Sequence, residues 1–514
     1  MTIPSPENFP ISLLFPNLLL ILVPILAVLL IPPLISNKTA AISHIPGPFL
    51  ARYTDAWSLW LTWKTHHHGN RAATLRTLEA QYGSVVRTGP RSVTVLDPAA
   101  VPLVYGVRAK LDKGPAYIPF RQAGVKTSLL SIPDEQTHSK YRKLVSHAYS
   151  MTSIKGYEPY VDRMVRKFIE VCDEHAASKE PLNLSLWCHY YCFDVISSLT
   201  LGSPIGCLEG QDVFGLIKKI RAFRDYASVV SQMPWLHRVF QDNPLLRRVK
   251  PSPFMKLVKS TIDDRLRQST QSKFNDSSST STNDRSDLLS HFIATHAAHP
   301  DLMTKEQVTI SAAGNFIAGG LSPAATFNEL CYYLATTPEA QEKLHAELSA
   351  AQCSYPAPFD QVKAIPYLEG IVREAYRLHS SSSATLQRVT GPSGLTLPNG
   401  CRLPPGIYVG CPAGTVNRDK GVFGADAEVY NPARWMKGYG EGDAEYEERR
   451  KVMERTDLSF GQGSRSCIGK SVAQMEIFKV VAALVGMFKF EVVGVARKSE
   501  LYVRIQRREA QEVK

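Results

Sequence analysis

The chain has 514 residues, 44% hydrophobic and 21% charged, a globular composition that excludes a mainly disordered, collagen-like or multi-span membrane protein. Its 59 Lys and Arg against 47 Asp and Glu leave +12, which suits an acidic partner or an anionic membrane surface; nucleic acid is the weaker reading, with no basic helix, zinc-finger spacing or aromatic-basic ribbon. Nine cysteines scattered along so long a chain argue against a disulfide scaffold and fit a reducing compartment.

From Ile11 to Ile35 there is no charge, and the polar side chains are Ser12 and Asn17. That stretch is long enough to cross a hydrocarbon core of about 30 Å as one helix, with kinks at Pro16 and Pro24 of the kind membrane helices tolerate. A cleaved signal peptide is the rival reading, but the run is too long and lacks a basic start. Glu7 precedes the run while Lys38, Arg52 and Lys64 follow it, so the bulk of the chain belongs on the cytoplasmic side. In that orientation the sequons at Asn37, Asn183 and Asn275 stay unglycosylated. The expected organisation is a short lumenal tail (1–10), a transmembrane anchor (11–35), a proline-rich hinge (36–50) around Ile45-Pro46-Gly47-Pro48, and one large body (51–514).

Within the body, Ser84–Arg87 and Ser92–Leu96 read as two strands of a hairpin. Helical patterns follow to about residue 380, apart from Gln268–Asp287, rich in Ser, Thr and Asn and read as a surface loop. Thr304 with Gln307 forms a capping box for a helix running to about Thr336. Thr337-Pro338 and Pro366 supply the starts of the next two helices. Short strand-like pieces come at Leu386–Val389, Leu395–Leu397 and Tyr408–Val409. The body is therefore mainly α with small β-sheets.

The segment that carries chemistry is Phe460-Gly461-Gln462-Gly463-Ser464-Arg465-Ser466-Cys467-Ile468-Gly469. Its glycines allow a tight loop in which backbone N–H groups face one sulfur. A helix starts just beyond Cys467, so N–H donors and nearby Arg465 should hold this cysteine as thiolate, a soft metal ligand. A structural buried cysteine is the alternative that a lone Cys ordinarily has.

This loop resembles the Phe-x-x-Gly-x-Arg-x-Cys-x-Gly signature of the cytochrome P450 family. Five fixed residues in ten positions recur by chance roughly once in 10⁷ windows. The resemblance implies the cytochrome P450 fold after the anchor, haem b with Cys467 as its axial iron ligand, and Phe460 and Arg465 as parts of the haem cradle. Glu374 and Arg377, at i, i+3 on one helix, and Arg434 in Asn431-Pro432-Ala433-Arg434-Trp435 resemble the family's Glu-Arg-Arg clamp, a structural network that does no chemistry. His138 and Arg142, at i, i+4 on a helix expected from Asp134 to Ser150, resemble its propionate-binding helix, and Arg388 and Arg465 are further candidates.

One departure is informative. Where the family has Ala-Gly-x-acid-Thr, this chain has Ala318-Gly319-Gly320-Leu321-Ser322-Pro323. Leu321 stands in the acid's place and Ser322 in the threonine's, and Pro323 removes the N–H that bonds the Gly319 carbonyl, opening the helix there. The catalytic expectation therefore falls on Gly319, Leu321 and Ser322, with the proton relay through Ser322, water or the substrate. The resemblance further implies NADPH-driven dioxygen activation, electrons from an NADPH–cytochrome P450 reductase with cytochrome b5 as an optional second donor, an apolar small-molecule substrate, and anchorage in the endoplasmic reticulum membrane. The stretches Ile45–Pro48, Tyr82–Arg91 and His138–Ser150 resemble fungal members, including the pisatin-demethylase-like group, which implies secondary-metabolite oxidation. Coupling, desaturation or rearrangement without oxygen insertion is the enzymatic alternative, and a haem-binding sensor the non-enzymatic one. His66-His67-His68 is read as a polar run in a loop or at a helix start, and Cys188 and Cys192 as small buried hydrophobes. The serine run Ser380–Ser383 either lines the pocket or is a solvated loop.

Overall fold

The computed structural model describes residues 41–509 apart from 69–70, 122–127, 242, 244–252, 276–286, 380–384 and 498–499, and the backbone alone of 66–68, 269–275 and 495–497. Residues 11–35, expected to form an anchor, and the serine run Ser380–Ser383 lie outside the described residues. Among the described residues no helix is long and apolar enough to cross a membrane.

The body is built around one long helix, Lys305–Thr336. Its buried Val308, Ala312, Phe316, Ala324, Phe327 and Leu330 recur at three- and four-residue steps, the spacing that turns one face inward. Helices Leu184–Leu201, Pro366–Leu378 and Lys470–Met487 pack against it. Leu184–Leu201 and Lys470–Met487 are apolar nearly all round, as helices enclosed on every side must be. Together with Met151–Ser178 they form the main core.

Smaller sheets flank this core. In the five-stranded sheet, β1 (Val85–Gly89), β2 (Ser92–Val95), β3 (Asp112–Lys113), β5 (Arg388–Val389) and β8 (Tyr408–Gly410) lie in the order β1-β2-β8-β5-β3. The expected hairpin is β1–β2, antiparallel, and β8 joins β2 in parallel. At the far edge β3 runs antiparallel to β5 with Lys113 opposite Arg388. β4 (Leu182–Asn183), β10 (Glu500–Arg507) and β9 (Phe488–Arg497) make a second sheet, and β6 (Leu395–Thr396) with β7 (Arg402–Leu403) a third.

Several local expectations need correction. Helix Pro253–Asn275 runs into the segment read as a loop; Gln268, Gln271 and Lys273 are good helix formers, and a scarcity of apolar residues does not by itself argue against a helix. The propionate helix is shorter than expected: it spans Glu135–Ser146 from the Asp134 cap, tightens at His147–Tyr149, and gives way to a new helix capped by Ser150. The capping box at Thr304 is half made: Thr304 accepts from Gln307 N at 3.2 Å, while the Gln307 side chain accepts from Tyr141 Oη at 3.1 Å. Thr337 makes no side-chain cap bond. The long helix stays continuous through Pro323, because packing on both sides outweighs one lost hydrogen bond. His66-His67-His68 ends helix Ala56–His68 instead of starting one.

Candidate active site: a cysteine loop facing a cationic wall

A cavity of about 950 Å³ lies between the cysteine loop, the long helix, the five-stranded sheet and the first two helices of the body. Cys467 opens into it. The loop is held by Cys467 N–H donating to the Phe460 carbonyl at 2.7 Å and Ser466 N–H to that of Gly463 at 3.1 Å. Gly461 and Gly463 take φ of +64° and +66°, and a Cβ on Gly463 would stand 2.1 Å from the Tyr105 carbonyl oxygen. Glycine is therefore required at 463 for both conformation and space. The Phe460 ring lies 4.6 Å from that of Tyr376, which fixes the wall beside the sulfur.

Burial pushes the Cys467 thiol above its usual range, while the Gly469 N–H, Arg142 and Lys470 pull it down. The helix begins at Lys470, three residues on, so its positive end does not bear directly on the sulfur. Loss of the proton here calls for a bound metal ion, whose charge outweighs the desolvation.

One wall of the cavity concentrates positive charge. Arg142 Nη1 donates to the Ser466 carbonyl at 2.7 Å, tying its helix to the cysteine loop. Arg388 Nη1 meets Tyr117 Oη at 3.2 Å. Lys113 Nζ donates to the Leu130 carbonyl at 2.7 Å, and its partner across the strand pair is Arg388. Arg465 is committed to Glu135 at 2.6 Å and to the carbonyls of Ile132 and Pro133. His138 is buried with Nδ1 lacking a partner; burial and the neighbouring Lys113, Arg465, Arg142 and Arg388 push its pKa down to about 3. Burial and the same arginines hold Lys113 well below the ordinary lysine value. Like charges placed opposite each other in a buried strand pair are unfavourable, so this wall is built to receive an anion. A macrocycle with two carboxylates and an iron for a cysteine fits these residues.

The long helix supplies the opposite wall. Gly319, Leu321, Ser322 and Pro323 all line the cavity. Leu321 is buried, Ser322 half-buried, and the Gly319 carbonyl lacks the N–H that Pro323 cannot offer. A Cβ at Gly319 would strike Ile196 at 2.7 Å and one at Gly320 would strike Phe193 at 2.5 Å, so both glycines serve close helix packing.

Glu374, Arg377 and Arg434 come together behind the loop. Glu374 Oε1 and Oε2 accept from Arg377 Nη2 and Nε at 2.7 and 2.8 Å, and Arg434 Nε lies 3.4 Å from Oε1. Asn431 N and Trp435 Nε1 complete the carboxylate at 3.0 and 2.9 Å. Arg377 then reaches the Asn417 and Ala427 carbonyls at 2.6 and 2.7 Å, and Arg434 reaches Asp426 at 2.8 Å. Asn417 Oδ1 accepts from Leu458 N at 2.9 Å, just ahead of the cysteine loop, so the network positions that loop.

Sequence reading missed Lys113, Tyr117, Asn417, Trp435 and Glu476. Lys113 becomes recognisable only through its pairing with Arg388. Glu476 shows as the one acid in an apolar helix; it is 2% exposed, lines the cavity and is kept neutral by burial, its pKa raised well above the usual range. Cys188 and Cys192 are fully buried in the core. The side chains of His66-His67-His68 lie outside the described residues.

Comparison with known proteins decides the family: the sequence model described as Cytochrome P450 matches residues 52–503. The chain belongs to the cytochrome P450 family. It is 32% identical to a cytochrome P450 monooxygenase of Aspergillus flavus, over 91% of this chain and 93% of the relative. The same identity links it to the cytochrome P450 monooxygenase vrtE of Penicillium aethiopicum, over 85% of this chain and 82% of the relative. A third relative at 32%, the cytochrome P450 monooxygenase cicH of Emericella nidulans, matches 88% of both chains. The cytochrome P450 expectation for fold and enzyme class therefore holds, with haem iron and a thiolate ligand as the family cofactor and a redox partner as electron source.

Proposed function

We propose that the protein is an anchored cytochrome P450 monooxygenase that oxidises an apolar small molecule of fungal secondary metabolism. The observation that carries this reading is one cavity with a cysteine on one wall and a cluster of basic side chains, Lys113, His138, Arg142, Arg388 and Arg465, on another. Cys467 would be the iron ligand of haem b, and Arg142 and Arg388 would hold most of its two propionates because Arg465 is committed to Glu135. Bound there, haem supplies activation of dioxygen with electrons derived from NADPH. Residues 11–35 anchor the chain, with 1–10 lumenal, 36–50 as hinge and 51–514 catalytic. The site of action is the cytoplasmic face of the endoplasmic reticulum. NADPH–cytochrome P450 reductase is the electron donor, with cytochrome b5 as auxiliary, and the +12 charge favours an acidic docking face.

The chain's own residues shape the reaction. Phe223, Phe292, Ile310, Ile317, Leu386 and Val409 line the cavity and exclude water from the reacting carbon. Ser322 and a water on the open Gly319 carbonyl present hydroxyl groups to the oxygen side, and Leu321 holds no proton. Glu476 holds one, since burial keeps its carboxyl neutral, and it opens on the same cavity.

Leu321 also supports a second reading, in which coupling, desaturation or rearrangement occurs without net oxygen insertion. Full-length protein with reductase, NADPH and the precursor that accumulates on gene deletion, run under isotopically labelled dioxygen, separates the two. One labelled oxygen in the product supports insertion. A product without label supports the second reading, and no NADPH consumption with any precursor would remove both.

A further inference from the structure

The cavity contains one charge that the haem site does not use. Arg71 begins helix Arg71–Tyr82 and lines the same cavity through the wall built by Trp57, Leu61, Thr62, Thr65 and Leu75. Its Nη1 donates to Thr62 Oγ1 at 2.5 Å, and its Nε is buried with no hydrogen-bond partner. No carboxylate pairs with it among the described residues. Burial alone draws its pKa down to about 10, with no neighbouring charge contributing.

The other cavity charges are accounted for. Lys113, Arg142, Arg388 and Arg465 belong to the basic wall described above, where His138 is neutral. Arg224 is paired with Asp225 at 3.0 Å, and Asp55 has Arg91 beside it. Arg71 is therefore a half-buried side chain whose buried Nε has no partner, in a wall of apolar and hydroxyl-bearing side chains with Asp55 its one carboxylate among the lining residues. Leaving a buried N–H without an acceptor is unfavourable, and a guanidinium presents paired N–H groups matched to a planar oxyanion. Thr62, which accepts from Nη1, sets the direction in which the remaining donors point.

We infer that Arg71 is the specificity anchor for a carboxylate on the substrate, so that the molecule taken by this enzyme has an apolar body and an acid group at the end away from the reacting carbon. This rests on the reading of the cavity as a haem-thiolate substrate site, which it refines from an apolar molecule to an acidic amphiphile. A charge-assisted hydrogen-bonded pair at this guanidinium discriminates against a neutral hydroxyl by roughly tenfold to a hundredfold.

The test uses the full-length haem-loaded protein and ligands that span the cavity: ω-imidazolyl alkanoic acids against ω-imidazolyl alkanols of equal length, with absorbance titration reporting imidazole on the iron. The wild type should bind the acid at least about tenfold tighter than the alcohol at one or more chain lengths. Arg71→Gln should bring that ratio close to one and leave phenylimidazole affinity unchanged, while Arg71→Lys, which keeps charge without the fork, should give an intermediate ratio. An acid-to-alcohol ratio near one at every length in the wild type overturns the proposal, and so does a ratio that survives Arg71→Gln. The wild-type comparison stands even if the glutamine variant fails to take up haem. If phenylimidazole itself gives no iron coordination in the wild type, the haem-site reading falls, an outcome distinguishable from loss of acid preference alone.

Discussion

Glu374→Gln is the most demanding perturbation of the clamp. The Glu374 carboxylate accepts five hydrogen bonds: two from Arg377, one from Arg434, one from Trp435 Nε1 and one from Asn431 N. Glu374 and Arg377 are both 0% exposed and Arg434 8%. Glutamine has nearly the same shape, so no cavity forms and the effect isolates charge and acceptor capacity. The substitution removes the negative charge between two buried guanidiniums and turns an N–H₂ toward a donor. Breaking a buried pair by removing one partner costs about 3–5 kcal/mol, a large share of the roughly 5–15 kcal/mol that holds a folded protein. Trp435→Phe loses one hydrogen bond to the same carboxylate and should cost only about 1.5–3 kcal/mol. Denaturant midpoints of detergent-solubilised full-length protein, followed by haem absorbance, give both values. A Glu374→Gln midpoint within about 0.5 kcal/mol of wild type, or a larger loss in Trp435→Phe, would refute the assignment of the network as a buried electrostatic clamp.

Three further outcomes follow from named contacts. Gly463→Ala places a methyl 2.1 Å from the Tyr105 carbonyl at a φ of +66°, so it should abolish haem incorporation, measured as bound haem per chain. Asp55 is raised by burial from 3.8 to about 6 in the folded chain; the folded state thus holds a proton that the unfolded state releases, and the Asp55 contribution to stability is fully present below about pH 4 and is lost as pH rises through about 6. Asp55→Asn should remove that decline, on the order of 2–3 kcal/mol, as seen in denaturation midpoints across this range, and an identical slope in the variant would discard the argument. Leu321→Asp restores a carboxyl beside Ser322 and should raise the ratio of product to NADPH consumed severalfold; an unchanged ratio in folded protein shows that Leu321 does not limit proton delivery.

Local signals made much of the fold readable. The long helix from Lys305 to Thr336 and the hairpin at Val85–Val95 follow from period and turn chemistry. Boundaries failed where tertiary contacts decided them: Gln307 spends its side chain on Tyr141 instead of the cap, and polar residues after Gln268 remain helical. Of the site, Cys467 was legible because its loop is dense in fixed residues, and the clamp because Glu374 and Arg377 share a helix face. Lys113 and Arg71 were not legible. Each is one basic residue among 59, and its meaning comes from a register or a cavity wall that no local pattern encodes.

The central claim, that Cys467 binds haem iron as thiolate in this cavity, is tested most directly by the absorption spectrum of the reduced, carbon monoxide-bound full-length protein. The account predicts the long-wavelength Soret band that a thiolate ligand produces, lost in Cys467→Ser. A haem bound with the shorter-wavelength band of a nitrogen or oxygen ligand, or a thiolate band that survives Cys467→Ser, would contradict it.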